Sequence, residues 1–150
     1  MRVAIGSDHA GFVLKGQLCQ LLETLGVEFR DFGTDSEEPV DYPDYIAPVA
    51  RAVARGEFNF GIVLGGSGTG EAIVANKIRG IRCVQANNPV VARLGREHND
   101  ANVIAIGARV TTPEQAEACV REFLTAEFEG GRHIRRVAKI ATIEAEEARG

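Results

Sequence analysis

No uninterrupted apolar run in these 150 residues approaches the length of a membrane span, and the chain leaves little room for a second folded domain. The amino terminus offers too little apolar length for a secretory leader, because Met1-Arg2 runs into Asp8-His9 after only five residues. A single domain over 1–150, no membrane and a cytoplasmic setting are therefore expected. The cysteines, Cys19, Cys83 and Cys119, are odd in number and have no metal-ligand spacing, so buried free thiols are expected rather than a redox pair. His9, His98 and His133 also lack ligand spacing; neither metal nor cofactor is expected. A net charge of −4 with interspersed signs argues against nucleic acid as a partner, although Arg132, Arg135, Arg136 and Lys139 form a basic cluster that needs its own explanation. Internal repeats and low-complexity tracts are absent as well.

What the chain does have is alternation. Strand-like apolar runs at Val3 to Ile5, Val27 to Phe29, Phe60 to Leu64, Ile81 to Val84 and Val103 to Ile106 are separated by segments of helical period, the pattern of a parallel α/β sheet. In the first helix Val13, Leu14, Leu18, Leu21, Leu22 and Leu25 form a stripe that should pack on the sheet, with Gly26 as its stop. Further helices are expected from about Tyr45 to Arg55, after Gly70, and from Pro89 to near His98. Thr112-Pro113-Glu114-Gln115 carries the N-cap, first-turn proline and capping-box glutamine of a helix reaching about Ala126. Gly130-Gly131 ends that region. A last helix from Arg132 to Glu147 places Ile134, Val137, Ile140 and Ile143 on one side, suited to packing on a partner subunit. The longest irregular connection, Asp31 to Asp44, is long enough to border a site.

The chemistry concentrates at Gly65-Gly66-Ser67-Gly68-Thr69-Gly70-Glu71, between a strand and a helix start. Four glycines in seven residues let backbone amides turn toward a ligand, and the helix adds unsatisfied N–H groups and the positive end of its dipole. A nucleotide-binding P-loop would follow its last glycine with Lys and Ser or Thr; here Glu71 and Ala72 stand there. A carboxylate at that point would repel a polyphosphate. It could instead remove a carbon-bound proton while the amides hold the resulting oxyanion. A non-catalytic nucleotide-binding α/β domain is the rival reading. Against it, the glycines do not follow Gly-x-Gly-x-x-Gly, and the next strand ends in Val84-Gln85-Ala86-Asn87 without an acid for a ribose hydroxyl.

Ligands of an open parallel sheet bind outside the carboxyl ends of its strands. The first strand delivers Ser7-Asp8-His9-Ala10-Gly11 there. Asp8 and His9 are either an N-cap with a solvated histidine or, facing the glycine-rich turn, a functional pair. His98-Asn99-Asp100 precedes the fifth strand, which puts it at the opposite edge of the sheet. It is either a polar turn or a contribution to a neighbouring molecule's site. Arg109 follows the fifth strand, and Arg132 and Arg136, one helical turn apart, either face solvent or clamp a phosphate.

Taken together, Gly6 to Gly11, Asp41-Tyr42-Pro43, Gly65 to Glu71 with Ala75-Asn76-Lys77, Arg96 to Asp100 and Gly130-Gly131-Arg132-His133 resemble the type B ribose-5-phosphate isomerases of the ribose/galactose isomerase family. The resemblance runs through nearly the whole chain. It implies a three-layer Rossmann-like α/β fold with a five-stranded parallel sheet and a C-terminal helix for dimer packing. It also implies a homodimer or a dimer of such dimers, with the active site shared between subunits, and a metal-free aldose to ketose isomerisation of a small sugar phosphate. Many members carry a cysteine base where this chain has Gly65; another branch has a glutamate base after the turn, and Glu71 matches it. By the same resemblance Asp8 and His98 open the sugar ring, and Glu71 moves the proton between C2 and C1. The amides of Ser67, Gly68, Thr69 and Gly70 hold the enediolate, and the Ser67 hydroxyl shuttles protons. Gly66 and Asn99 line the substrate site, while His9, Arg109, Arg132 and Arg136 hold the phosphate. Thr69 is expected to act through its backbone alone. Isomerases of galactose 6-phosphate, allose 6-phosphate and tetrulose phosphates belong to the same family, so the sugar itself stays open.

Overall fold

Each strand carries two different faces. Val3, Ile5, Phe60, Ile62, Leu64, Ile104 and Ile106 point to one side of the sheet, while Ala4, Val63, Val103 and Ala105 point to the other, the period-two alternation of a strand. In a computed structural model describing residues 1–149, the strands are β1 (Arg2–Ser7), β2 (Glu28–Asp31), β3 (Phe60–Gly65), β4 (Cys83–Gln85) and β5 (Val103–Gly107). All pair in parallel, in the order β2-β1-β3-β5-β4. The helices are α1 (Phe12–Thr24), α2 (Tyr42–Ala54), α3 (Thr69–Asn76), α4 (Pro89–Asn99), α5 (Pro113–Thr125) and α6 (Arg132–Ala148).

The large-residue face packs against α1, α4 and α5 through Leu14, Leu18, Leu22, Ala92, Val120 and Phe123. The small-residue face receives α2 and α3 through Ile46, Val49, Ala50, Val53, Ala72 and Ala75. Gly61 lets α2 come close, since a Cβ there would stand 3.2 Å from both Val49 and Val53. Each fully buried Leu or Ile of these layers stabilises the fold by roughly 1.5–3 kcal/mol. The three-layer α/β arrangement is the one expected.

Local expectations fared unevenly. The capping box at Thr112 forms, with the Gln115 amide donating to Thr112 Oγ1 at 3.1 Å and Gln115 Oε1 accepting from the Thr112 amide at 3.2 Å. The second helix begins at Tyr42, three residues before the expected Tyr45, because Pro43 in the first turn has no N–H to lose there. The Asp31 to Asp44 connection is correspondingly shorter. Val13 and Leu25 do not join the packed stripe of α1: Val13 is 56% exposed and Leu25 38%. Helix α6 touches the body of the protein lightly, along α4 and at the Gly80 amide, which donates to the Glu144 carboxylate at 3.1 Å, and leaves Ile134 and Ile143 each 59% exposed. Among the described residues no helix is long and apolar enough to cross a membrane.

Strand order positions the site. From β1 the chain crosses to β2 on one side, and from β3 it crosses the other way to β4, so the switch point lies between β1 and β3. Their connecting helices, α1 and α3, lie on opposite faces of the sheet. The two loops leaving these strands therefore bound a crevice.

Candidate active site

That crevice is a cleft of about 550 Å³ whose walls include Asp8, His9, Tyr42, Gly66, Ser67, Thr69, Gly70, Glu71 and Arg109. Eight of the residues singled out in the sequence thus meet in one place: Asp8, His9, Gly66, Ser67, Thr69, Gly70, Glu71 and Arg109. Gly68 supports the turn from behind. It adopts φ +84 at the N-cap of α3, and a Cβ there would press on the Gly107 nitrogen at 3.2 Å. Backbone bonds lock the turn to the end of β5, with the Ala108 amide donating to the Gly65 carbonyl at 2.7 Å and the Arg109 amide to the Gly66 carbonyl at 2.9 Å.

Glu71 sits in the first turn of α3, only 3% exposed, and its Oε2 has no hydrogen-bond partner. Burial pushes its carboxyl above the usual carboxylate range; the Glu71 amide lowers it, the Asp8 charge raises it and the Gly68 amide lowers it again. Burial therefore outweighs the amides, a contest that sequence alone left open. A buried carboxylate without a cation beside it is a stronger proton acceptor than a solvated one. Thiols offer no competing base: burial, aided by the Glu71 charge, pushes Cys83 up to about 12, and burial pushes Cys19 and Cys119 up to about 11. Only Cys119 is fully buried; Cys19 and Cys83 are half-buried, short of the expected burial.

Around this carboxylate the polar groups are oriented. Asp8 is 7% exposed and accepts from the Gly11 amide at 3.1 Å, so it supports the entry to α1 from three residues back, while Gly11 holds the N-cap position itself. His9 Nδ1 accepts from the Val40 amide at 3.1 Å, which leaves the proton of a neutral ring on Nε2. The Ser67 and Thr69 hydroxyls lie 2.7 Å apart, giving Thr69 a side-chain contact that was not expected, and Gln85 Nε2 donates to the Ser67 carbonyl at 3.1 Å. Tyr42 was also missed as a site residue. Its ring covers Gly70 closely, and a Cβ on Gly70 would come within 2.8 Å of it. The signal was present as Asp41-Tyr42-Pro43, an aromatic at a helix entry beside a glycine-rich turn.

His98, Asn99, Arg132 and Arg136 are not in this cleft. His98 and Asn99 end α4, which runs back from β4 to the start of β5, so they lie at the amino-terminal edge of the sheet. There His98 stacks on His133, with ring centroids 4.4 Å apart and planes 13° off parallel, beside Glu129. Arg132 and Arg136 are exposed on the first turns of α6 next to that stack. The chain thus carries one polar cluster at each edge of its sheet. The ligand atoms of His98, Glu129 and His133 fall within 4.8 Å of one another, a spread wider than the ~3.3 Å edge set by tetrahedral bonds of 2.0–2.1 Å. Arg132 and Arg136 adjoin the trio, and their charges disfavour a further cation there.

The family model described as Ribose/Galactose Isomerase matches residues 3–140. Ribose-5-phosphate isomerase B of Escherichia coli (strain K12) is 48% identical over 143 residues, which span 95% of this chain and 96% of that protein. D-erythrulose-4-phosphate isomerase of Pectobacterium atrosepticum is 40% identical, over 98% of this chain and 97% of that protein. The solved structure of Clostridium thermocellum ribose-5-phosphate isomerase B superposes with a TM-score of 0.96 at 48% identity, over 98% of this chain and 99% of that one.

Proposed function

This chain belongs to the ribose/galactose isomerase family, and from that premise we propose that it interconverts D-ribose 5-phosphate and D-ribulose 5-phosphate through a cis-enediolate. The observation that carries the reading is Glu71, a buried carboxylate with a free oxygen at the mouth of an amide-rich turn. Proton abstraction from C2 needs a base of that kind, and the oxyanion left at O1 or O2 needs donors that cost no reorganisation. Glu71 takes the C2 proton and its acid form returns it to C1. The Ser67 hydroxyl, close to Thr69, moves the remaining proton between O1 and O2.

Ring opening precedes this step for a furanose, with Asp8 receiving the anomeric hydroxyl proton and His98 protonating the ring oxygen. Because His98, Arg132 and Arg136 stand at the far edge of the sheet, they act in the cleft of a second copy. The lightly packed α6 and its exposed Ile134, Ile140 and Ile143 supply the surface for that homodimer. His9 and Arg109 from the cleft, together with Arg132 and Arg136 from the partner, hold the phosphate. No metal takes part, and the setting is the cytoplasm.

The relative named as a D-erythrulose-4-phosphate isomerase supports a second reading in which a tetrulose phosphate is the preferred sugar. A hexose 6-phosphate is the third. Comparing kcat/KM for the pentose, tetrose and hexose phosphates on purified protein without added metal separates the three. The pentose is expected to lead, and a tetrose or hexose that leads by tenfold reassigns the substrate.

A further inference from the structure

We infer that Glu129 is a positioning residue for His98: its carboxylate faces Nε2 as a counter-ion at 3.7 Å, beside the stacked ring of His133, and leaves Nδ1 as the atom that exchanges a proton with substrate. The inference rests on the assignment of ring opening to His98 above.

The geometry is that of one carboxylate shared by two stacked imidazoles. Glu129 Oε1 lies 3.7 Å from His98 Nε2, and its Oε2 lies 3.9 Å from His133 Nε2. The Glu129 amide donates to the Glu97 carbonyl at 3.0 Å, which pins this loop to the last turn of α4 beside His98. Among the described residues Glu129 is the one carboxylate within 4.0 Å of a His98 nitrogen, and it approaches from the Nε2 side. The Glu129 side chain is itself 46% exposed, so its fixed amide rather than packing sets its place.

Two protonated rings 4.4 Å apart would repel, so the pair carries one positive charge at most with ease. His133 is the ring that stays neutral: it is 5% exposed, its Nε2 is unpartnered, and Arg132 and Arg136 adjoin it. Burial, Arg132 and His98 hold its imidazole below the ordinary range against the pull of Glu129, and Arg136 adds a smaller push the same way. His98 is 37% exposed at the side chain and sits in the last turn of α4, where helix carbonyls favour a cation. On α4 itself Glu97 is engaged by Arg93 at 3.6 Å and Asp100 by Arg96 at 2.8 Å, leaving Glu129 as the counter-ion. With Glu129 on the Nε2 side, an imidazolium keeps its second N–H, on Nδ1, for the substrate. Donation from Nδ1 leaves a neutral ring whose remaining proton faces Glu129.

The test is an NMR titration of the histidine Cε1–H signals of the full chain, with His98→Gln assigning the resonance. Glu129→Gln should lower the His98 pKa by about half a unit, the size of an exposed ion pair, and Glu129→Asp should restore most of it. The limb on which kcat/KM for ribose 5-phosphate falls with rising pH should move down by the same amount. An unmoved His98 pKa in Glu129→Gln overturns the inference, and so does a neutral variant that shifts the pKa upward. A His98 pKa that falls while the kinetic limb stays put overturns the assignment of His98 as ring-opening acid, and the role of Nδ1 with it. The titration needs no turnover, so it decides the Glu129 contact whichever sugar is the substrate.

Discussion

Gly65 and Glu71 share one space: a Cβ built on Gly65 would overlap the Glu71 carboxylate. The last residue of β3 must therefore lack a side chain for the first turn of α3 to place a carboxylate there. A side chain at position 65 and the Glu71 carboxylate in its present place exclude each other.

Gly65→Ala should keep the fold and displace the carboxylate. A misplacement of about 1 Å costs on the order of a hundredfold in turnover, so kcat should fall at least tenfold while thermal unfolding stays close to wild type. Steady-state kinetics beside a thermal melt checks this. An unchanged kcat would mean that the carboxylate works from somewhere else.

Glu71 should also cost stability. Its folded-state pKa is raised above the ordinary value of 4.5, chiefly by burial, so the native state binds this proton more tightly than the unfolded chain does. Stability is lost as pH rises from the unfolded value through the folded one, and above the folded value the whole cost is present. Glu71→Gln should accordingly melt higher than wild type at pH 7 to 8, with the gap closing as pH falls toward 4.5. Thermal melts across that range check it, and a wild type that melts higher at pH 7 would contradict a strained ionised Glu71.

A shared site predicts complementation. Glu71→Gln and His98→Gln protomers are each expected to form inactive homodimers, but a mixed dimer has one site carrying both defects and one carrying neither. Random mixing gives half heterodimers with one intact site of two, so roughly a quarter of wild-type activity should return. Mixing after reversible unfolding, followed by assay, measures this. No recovery from confirmed heterodimers would place His98 outside the neighbour's site.

The core makes a plainer prediction. Phe123 is fully buried on α5 and meets Phe60 edge-on, centroids 5.4 Å apart, with the Arg96 guanidinium 4.7 Å from the Phe60 ring. Phe123→Ala should lose about 3–5 kcal/mol of unfolding free energy, read from urea denaturation. A loss under about 1 kcal/mol would mean that this layer repacks freely.

Much of this was legible in the residues themselves. The strands announced themselves as short β-branched runs, and Thr112 to Gln115 named a helix start, because both signals are local. Glu71 was legible because one residue type breaks a phosphate-binding pattern at a fixed place. The start of α2 was not, since Asp41-Tyr42-Pro43 reads equally as loop or first turn until Tyr42 is seen lying over Gly70. Nor was the raised pKa of Glu71, which depends on how deep a turn lies beneath its neighbours. Glu129 escaped notice for a similar reason: its partners His98 and His133 come together only when α4 and α6 meet.

Glu71 is the proposed base of the aldose to ketose isomerisation. The most direct measurement is the rate at which purified protein, without added metal, converts D-ribose 5-phosphate to D-ribulose 5-phosphate, set beside folded Glu71→Gln. Efficient turnover by wild type is expected, with a loss of at least roughly a hundredfold in the variant and an unchanged dissociation constant for the sugar phosphate. Near-normal turnover by Glu71→Gln would contradict it.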